Sequence, residues 1–265
     1  MKVSTIASLL VIPPRCNISK GEQKMAATGI SENLGIAKEK IKVAQAISGV
    51  PDVKLIGITK TRTPSDVAKL IIAGCHEIGE NRVQEWEEKF PQVINELKIQ
   101  GFTGKFTSHL VGHLQSNKAR RAILDFDMIQ SLDSLELAER LGRVAEEENK
   151  TPYPCLIQVK LGEEKTKSGI AEGLLMQDFE QFINIKGIRI MGLMLIAPLW
   201  AVGEDSRPYF HEMRDIFEYL KIQKDDKFEM RYLSMGMSSD FDIAVEEGAN
   251  MVRIGRALFD GFNSL

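Results

Sequence analysis

The chain has 265 residues, of which 43% are hydrophobic and 27% charged, with a formal net charge of −3. That length accommodates one large α/β barrel or two small domains, and the near-neutral balance offers no global attraction to nucleic acid or anionic membranes. No window holds the roughly eighteen unbroken apolar residues needed to span a bilayer, and Cys16, Cys75 and Cys155 show no metal-binding spacing and fit a reducing, cytoplasmic compartment.

Residues 1–24 fit no element well. Val3 to Ile12 has a faint signal-peptide shape, but serines and a threonine interrupt it, and Pro13-Pro14-Arg15 stands where a small-residue cleavage site belongs. No acidic residue precedes Glu22, so a transit peptide is a second reading. The preferred one is a poorly ordered extension ahead of Met25, with 25–265 forming a single domain. Leu34, Ala37, Ile41 and Ala44 then recur at helical spacing and predict a leading amphipathic helix. Eight apolar runs read as strands: Val53–Thr59, His76–Gly79, Ser108–Val111, Met128–Leu132, Cys155–Leu161, Ile188–Ile196, Arg231–Met235 and Met251–Ile254. Helical stretches separate most of them; Ser206 to Lys221 places Phe210, Met213, Phe217 and Leu220 on one face. The connection Asn117 to Asp125 is shorter than the rest. Eight β/α units in about 240 residues match a (β/α)8 barrel of the TIM type. A doubly wound open sheet is the alternative, since alternation alone does not report closure.

Three segments carry chemistry. Lys60 directly follows the first apolar strand, before Thr63-Pro64-Ser65 opens a helix. The carboxyl ends of parallel strands are where ligands bind, and a lysine there can form a Schiff base if burial keeps its amine partly neutral. Taken alone, the segment fits a surface lysine capping a loop better. Near the end of the chain, Leu233 to Asp240 and Val252 to Ala257 each run from a strand through a glycine into a helix. Glycine lets backbone amides approach an anion, and barrels commonly bind phosphate after strands seven and eight. Ordinary turn glycines with Ser238 as a helix cap explain the two segments equally well. Arg253, which precedes Ile254-Gly255 on the apolar strand of the second segment, is placed to face the barrel mouth. Its guanidinium can only donate, so it would hold a pyridine nitrogen unprotonated; an ion pair with a barrel carboxylate such as Glu80 is the plainer alternative.

Together these stretches resemble the pyridoxal 5′-phosphate (PLP) homeostasis proteins, single-domain relatives of the alanine racemase barrel. The resemblance runs from about Asn33 to Gly261. It rests on Thr59-Lys60-Thr61, on Gly79 to Glu85 (GENRVQE) and on His109 to Lys118 (HLVGHLQSNK). Further matches are Lys167-Ser168-Gly169, Gly192-Leu193-Met194, Leu233 to Asp240 and Val252-Arg253-Ile254-Gly255. It implies a fold-type-III PLP barrel with the cofactor held covalently as a Schiff base by Lys60 and with Asn81 against it. It also implies a phosphate site of Ser234, Gly236, Met237 and Ser238 with the Gly255 and Arg256 amides, and Arg253 facing the pyridine nitrogen. His109 and His113, on the third strand and its loop, are expected to be structural. Three positions depart from the family pattern. Arg256 stands where a threonine or serine usually supplies a hydroxyl. Lys160 replaces an asparagine and puts a second amine near the mouth. Asp260 interrupts a Phe-Gly ending, a change expected to affect only the last turn.

PLP attachment does not by itself make an enzyme. Racemases related to this barrel use a lysine on one face of the cofactor and, on the other, a tyrosine that needs a second, β-rich domain. The chain has four tyrosines: Tyr153 and Tyr232 begin strands, and Tyr209 and Tyr219 lie in one outer helix. The expectation is a monomeric, non-catalytic carrier that gives PLP to PLP-dependent apo-enzymes. A racemase-like enzyme with Lys60 as sole base is the runner-up, and a barrel isomerase acting on a phosphorylated sugar is a third reading.

Overall fold

The computed structural model describes residues 29–162, 168–222 and 228–262. The extension 1–24 and Lys167 lie outside these residues. Among the described residues there are nine strands: β1 Lys54–Ile58, β2 Glu77–Glu80, β3 Thr107–Leu110, β4 Met128–Leu132, β5 Tyr153–Lys160, β6 Ile170–Ala171, β7 Ile188–Leu195, β8 Tyr232–Ser234 and β9 Met251–Ile254. Helices α1 Ile30–Ser48, α2 Pro64–Ile72, α3 Val83–Ile99, α4 Ala119–Asp125, α5 Leu135–Glu147, α6 Glu172–Asn184, α7 Arg207–Ile222, α8 Phe241–Glu246 and α9 Arg256–Asp260 surround them.

All pairings are parallel, in the order β4-β3-β2-β1-β9-β8-β7-β5, and the additional β4–β5 pairing closes the ring. That contact decides for the barrel over the open sheet. Side chains alternate across each strand. Ile56, Met128, Leu156, Met194 and Met251 meet inside the barrel, while Leu55, Ile78, Leu110, Ile129 and Leu233 face outward into the layer beneath the helices. With both faces covered, the strands are apolar on successive residues. Each Leu or Ile buried in this way contributes about 1.5–3 kcal/mol.

All eight strand expectations agree with the observed strands to within about two residues; the second and third are each displaced by one, Glu77–Glu80 against His76–Gly79 and Thr107–Leu110 against Ser108–Val111. β6 is additional to the eight expected strands. β6 pairs with Val159 and Lys160 on the side that β4 vacates at Leu132, extending the wall by two residues. The short connection contains a 3-10 turn, Ser116–Lys118, and the seven-residue α4.

Thr63 caps α2 by accepting from the Asp66 amide at 3.2 Å, with Pro64 at its first position. That cap sets the length of the turn leaving β1. At the other end of the chain α9 has only five residues. The leading helix α1 packs against α8 and α9 instead, burying Leu34, Ala37, Ile41 and Ala44. Asn33, fully buried, donates to the Leu258 carbonyl at 3.0 Å and ties the two together. Among the described residues no helix is long and apolar enough to cross a membrane.

Candidate functional site

The carboxyl ends of β1, β2, β8 and β9 adjoin one another in the ring and carry the candidate residues. Ile56 and Ile58 face the barrel interior, so alternation puts Lys60 on the same register at the mouth. Its side chain is exposed rather than buried, unlike the buried lysine that the sequence argument for a Schiff base called for. The next residue, Thr61, has φ of 62°. That left-handed conformation is unfavourable for a β-branched side chain, and such strain persists only where the surroundings enforce it. Arg62 supplies part of the restraint: its guanidinium donates to both carboxylate oxygens of Asp260, at 2.7 and 2.5 Å, and lies 4.8 Å from the centre of the Phe259 ring. Asp260 therefore does more than alter the last turn. It fastens the Lys60 turn to α9.

A second restraint lies behind the strand ends. Glu80 is 1% exposed; its Oε1 accepts from Lys89 Nζ at 2.6 Å and from the Thr59 hydroxyl at 2.7 Å. Lys89 also donates to the Thr59 carbonyl at 2.8 Å. Glu80 Oε2 has no hydrogen-bond partner among the described residues. This cluster ties α3 to the residues immediately before Lys60 and Asn81, and it rules out the alternative in which Glu80 pairs with Arg253. Asn81, half-buried, holds its backbone against Gly112, where a Cβ would come within 2.2 Å of the Asn81 carbonyl oxygen.

The two glycine turns interlock. The Arg253 amide donates to the Gly236 carbonyl at 3.0 Å. Gly236 has φ of 89°, and a Cβ there would lie 2.5 Å from the Ala244 methyl. The Met237 amide donates to Asp240 Oδ1 at 2.6 Å. Burial raises the Asp240 pKa above the usual carboxylate range, against the opposing pull of that amide and of Arg253. The Ser238 hydroxyl accepts from the Gly255 and Ala257 amides, each at 3.3 Å. Two backbone N–H groups thus converge on one oxygen, the arrangement that an anion oxygen requires. Gly236, Met237, Ser238 and Gly255 are brought together here. Arg256 begins α9 with its side chain exposed.

Ser234 points elsewhere. It is fully buried, donates from Oγ to Gln130 Oε1 at 2.8 Å, and accepts from Arg253 Nη1 at 2.7 Å. Arg253 also donates from Nη2 to the Leu195 carbonyl at 2.6 Å. Burial lowers its pKa to about 10, partly offset by Asp240, so it keeps its charge at neutral pH. His109 is buried inside the barrel, whereas His113 is exposed and 2.9 Å from Asp133. Tyr153 donates to the Phe126 carbonyl at 2.7 Å, and Tyr209 meets Trp200 edge to face. Lys160 lines a separate cavity of about 510 Å³ with Asp133 and Asp178. A larger cavity, about 900 Å³, lies outside the barrel between α6 and α7, where Glu172, Glu180, Glu212 and Asp215 disfavour an anion.

Gln130 and Lys89 were missed by sequence reading. Gln130 does carry a signal, as a long polar side chain on the inward register of a fully buried strand. Lys89 carries none, because a lysine on a charged helix is ordinarily solvated.

An amine at the mouth, an amide cradle that already holds an oxygen, and a buried guanidinium on the strand leading into that cradle form a donor set that fits an aldehyde-bearing aromatic phosphate. The comparisons agree. Residues 33–261 match the family described as alanine racemase, N-terminal domain. A pyridoxal phosphate homeostasis protein of Aquifex aeolicus is 35% identical over 230 residues, covering 86% of this chain and 96% of the relative. The protein of the same description from Escherichia coli K12 is 33% identical, covering 87% and 95%. PipY of Synechococcus elongatus, solved with PLP bound, is 34% identical with a TM-score of 0.72, covering 87% and 99%. An alanine racemase of Clostridium difficile, 18% identical with a TM-score of 0.60, shares the fold over 59% of its own length. With the fold and these relatives in agreement, the chain belongs to the pyridoxal phosphate homeostasis proteins of the alanine racemase N-terminal domain family.

Proposed function

We propose that this protein binds PLP covalently through Lys60 and serves in PLP homeostasis as a carrier, without robust catalysis of its own. One observation carries the reading: the lysine at the end of β1 shares the barrel mouth with two amides that converge on an oxygen and with a buried arginine that can only donate. When bound, PLP supplies a reactive aldehyde and an electron-withdrawing ring. Lys60 holds that aldehyde, and the strained Thr61 with the Arg62–Asp260 clamp orients the lysine. The Gly236–Ser238 and Gly255–Ala257 turns bind the phosphate, with the Ser238 hydroxyl giving up its position between the amides. Asn81 lies beside the ring. Arg253, fixed by Ser234 and the Leu195 carbonyl, donates toward the pyridine nitrogen and weakens the ring as an electron sink.

The exposure of Lys60 favours a carrier. An open linkage is accessible to a free amine or to the lysine of an apo-enzyme, whereas catalysis on such a cofactor calls for exclusion of water. A monomer in the cytoplasm that supplies PLP-dependent apo-enzymes belongs to the same proposal. The test is the absorption spectrum of the purified protein with PLP. Visible absorbance is expected for the wild type and is lost in Lys60→Ala, with borohydride fixing the label on Lys60. A colourless protein returns the site to a phosphorylated sugar. Solvent deuterium incorporated at an amino-acid α-carbon at about 1 s⁻¹ or faster would instead support the racemase-like enzyme with Lys60 as sole base.

A further inference from the structure

Inside the barrel, five side chains join Arg253 to the amino-terminal ends of β1 and β2. Arg253 Nη1 donates to Ser234 Oγ at 2.7 Å, and Ser234 donates to Gln130 Oε1 at 2.8 Å. Gln130 Nε2 lies 3.1 Å from His109 Nδ1 and 3.2 Å from the Met251 sulfur, both acceptors if that nitrogen donates. His109 Nε2 is 2.8 Å from Glu77 Oε2, and Glu77 Oε1 is paired with Lys54. With Gln130 Nε2 and His109 Nε2 as donors, the bonds all run in one sense, from Arg253 toward the accepting Glu77. Ser234, Gln130, His109 and Arg253 are all at most 4% exposed.

The direction is enforced from both ends. A guanidinium has no acceptor, so Ser234 Oγ must receive from it and pass its own proton onward. The Gln130 oxygen is thereby committed to Ser234, which leaves the amide nitrogen facing His109. His109 then accepts at Nδ1 and carries its proton on Nε2, where the Glu77 carboxylate takes the hydrogen bond. Reversing Gln130 would oppose its NH2 to the serine proton and leave Nδ1 facing an oxygen. In a dry interior, hydrogen bonds aligned head to tail between a cation and an anion polarise one another. The other charged groups at the two ends are Lys54, beside Glu77, and Asp240, whose field acts on Arg253.

We infer that Ser234, Gln130 and His109 are positioning residues that transmit the charge of Glu77 to Arg253 and so set how strongly Arg253 donates to a cofactor ring at the mouth. No proton is transferred along the chain; each keeps its place and only bond strength is communicated. The inference rests on the PLP reading for its consequence at the mouth, but its hydrogen-bond polarity is a property of the protein alone.

Two measurements separate these parts. In the ligand-free wild type, ¹⁵N NMR is expected to show His109 as the Nε2–H tautomer. In the PLP-loaded protein, the pH midpoint of the visible band is expected to move by about 0.5 unit in both Glu77→Gln and Gln130→Leu. In an Arg253→Gln background neither substitution should move it, which a general loosening of the barrel would not reproduce. An Nδ1–H or doubly protonated His109 at neutral pH overturns the relay even if no variant folds. Wild-type midpoints in loaded Glu77→Gln protein, or equal shifts without Arg253, overturn it as well. A wild type with no visible band removes the cofactor reading and the consequence at the mouth, while the tautomer measurement still decides the polarity.

Discussion

Replacing Lys89 by methionine keeps the aliphatic bulk of the side chain and removes its charge from a buried cluster. Glu80 is then left 1% exposed with one oxygen unpartnered and the other held only by the Thr59 hydroxyl. The Thr59 carbonyl also loses its 2.8 Å donor. Breaking a buried pair from one side costs about 3–5 kcal/mol, because the remaining charge stays desolvated. For a chain of this size that lowers the melting temperature by roughly 10 °C. Removing both partners, in Lys89→Met with Glu80→Leu, eliminates the stranded charge. Thr59 Oγ1 then retains its 3.4 Å approach to the Gly79 carbonyl. The double variant is expected to recover to within about 2 kcal/mol of wild type. Urea unfolding followed by circular dichroism supplies both numbers, provided the slope stays constant across variants. A single variant within 1 kcal/mol of wild type, or a double variant no more stable than the single, would refute the view that this cluster is a compensated buried charge.

Further outcomes follow from the same geometry. Glu77 is destabilised by burial but drawn down to about 2 by hydrogen bonds from His109 and Lys54, from an ordinary value of 4.5. A depressed folded-state pKa contributes stability above the unfolded value that is lost as pH falls through the folded one. Glu77→Gln should therefore flatten the acid limb of a stability–pH curve between about 4.5 and 2, as measured by thermal melts. Gly236→Ala forces a Cβ against Ala244 at a left-handed φ; PLP retention in equilibrium dialysis should fall at least tenfold, with about 2 kcal/mol lost in stability. Asp260→Ala removes a partly exposed clamp, so stability should change by less than about 1 kcal/mol, while the dissociation rate of PLP, followed by trapping with an apo-enzyme, rises several-fold. Burial holds the Cys75 thiol up at about 11 and the Cys155 thiol higher still. Both should resist a thiol reagent at pH 8 in the native protein and react on unfolding, with mass mapping to identify each site.

The periodicity of apolar residues was sufficient for eight strands, the leading helix and the order of the elements, because burial on two faces leaves a local imprint on each strand. Lys60, Gly236, Ser238, Arg253 and Gly255 stood out as candidates for a related reason: a lysine just after an apolar strand, an arginine on one and a glycine before a helix are locally anomalous. Closure of the sheet was not legible. It depends on β4 meeting β5, and nothing within either strand records which partner it will take. The two-residue β6 is too short to leave a pattern.

The partners of the polar side chains were decided only by tertiary structure. Glu80 was a credible mate for Arg253 in one dimension, yet strand alternation sends it to the helix side and into the reach of Lys89. Ser234 stands two residues before Gly236 in sequence but turns inward to Gln130, 104 residues away. Asp260 is 198 residues from Arg62 and fastens it at both oxygens. The chain by itself determined which residues could do chemistry, since that follows from side-chain type and local pattern. Which of them meet was settled by the packing of distant strands and helices, because the free energy of a polar contact depends on a neighbour that sequence proximity does not specify.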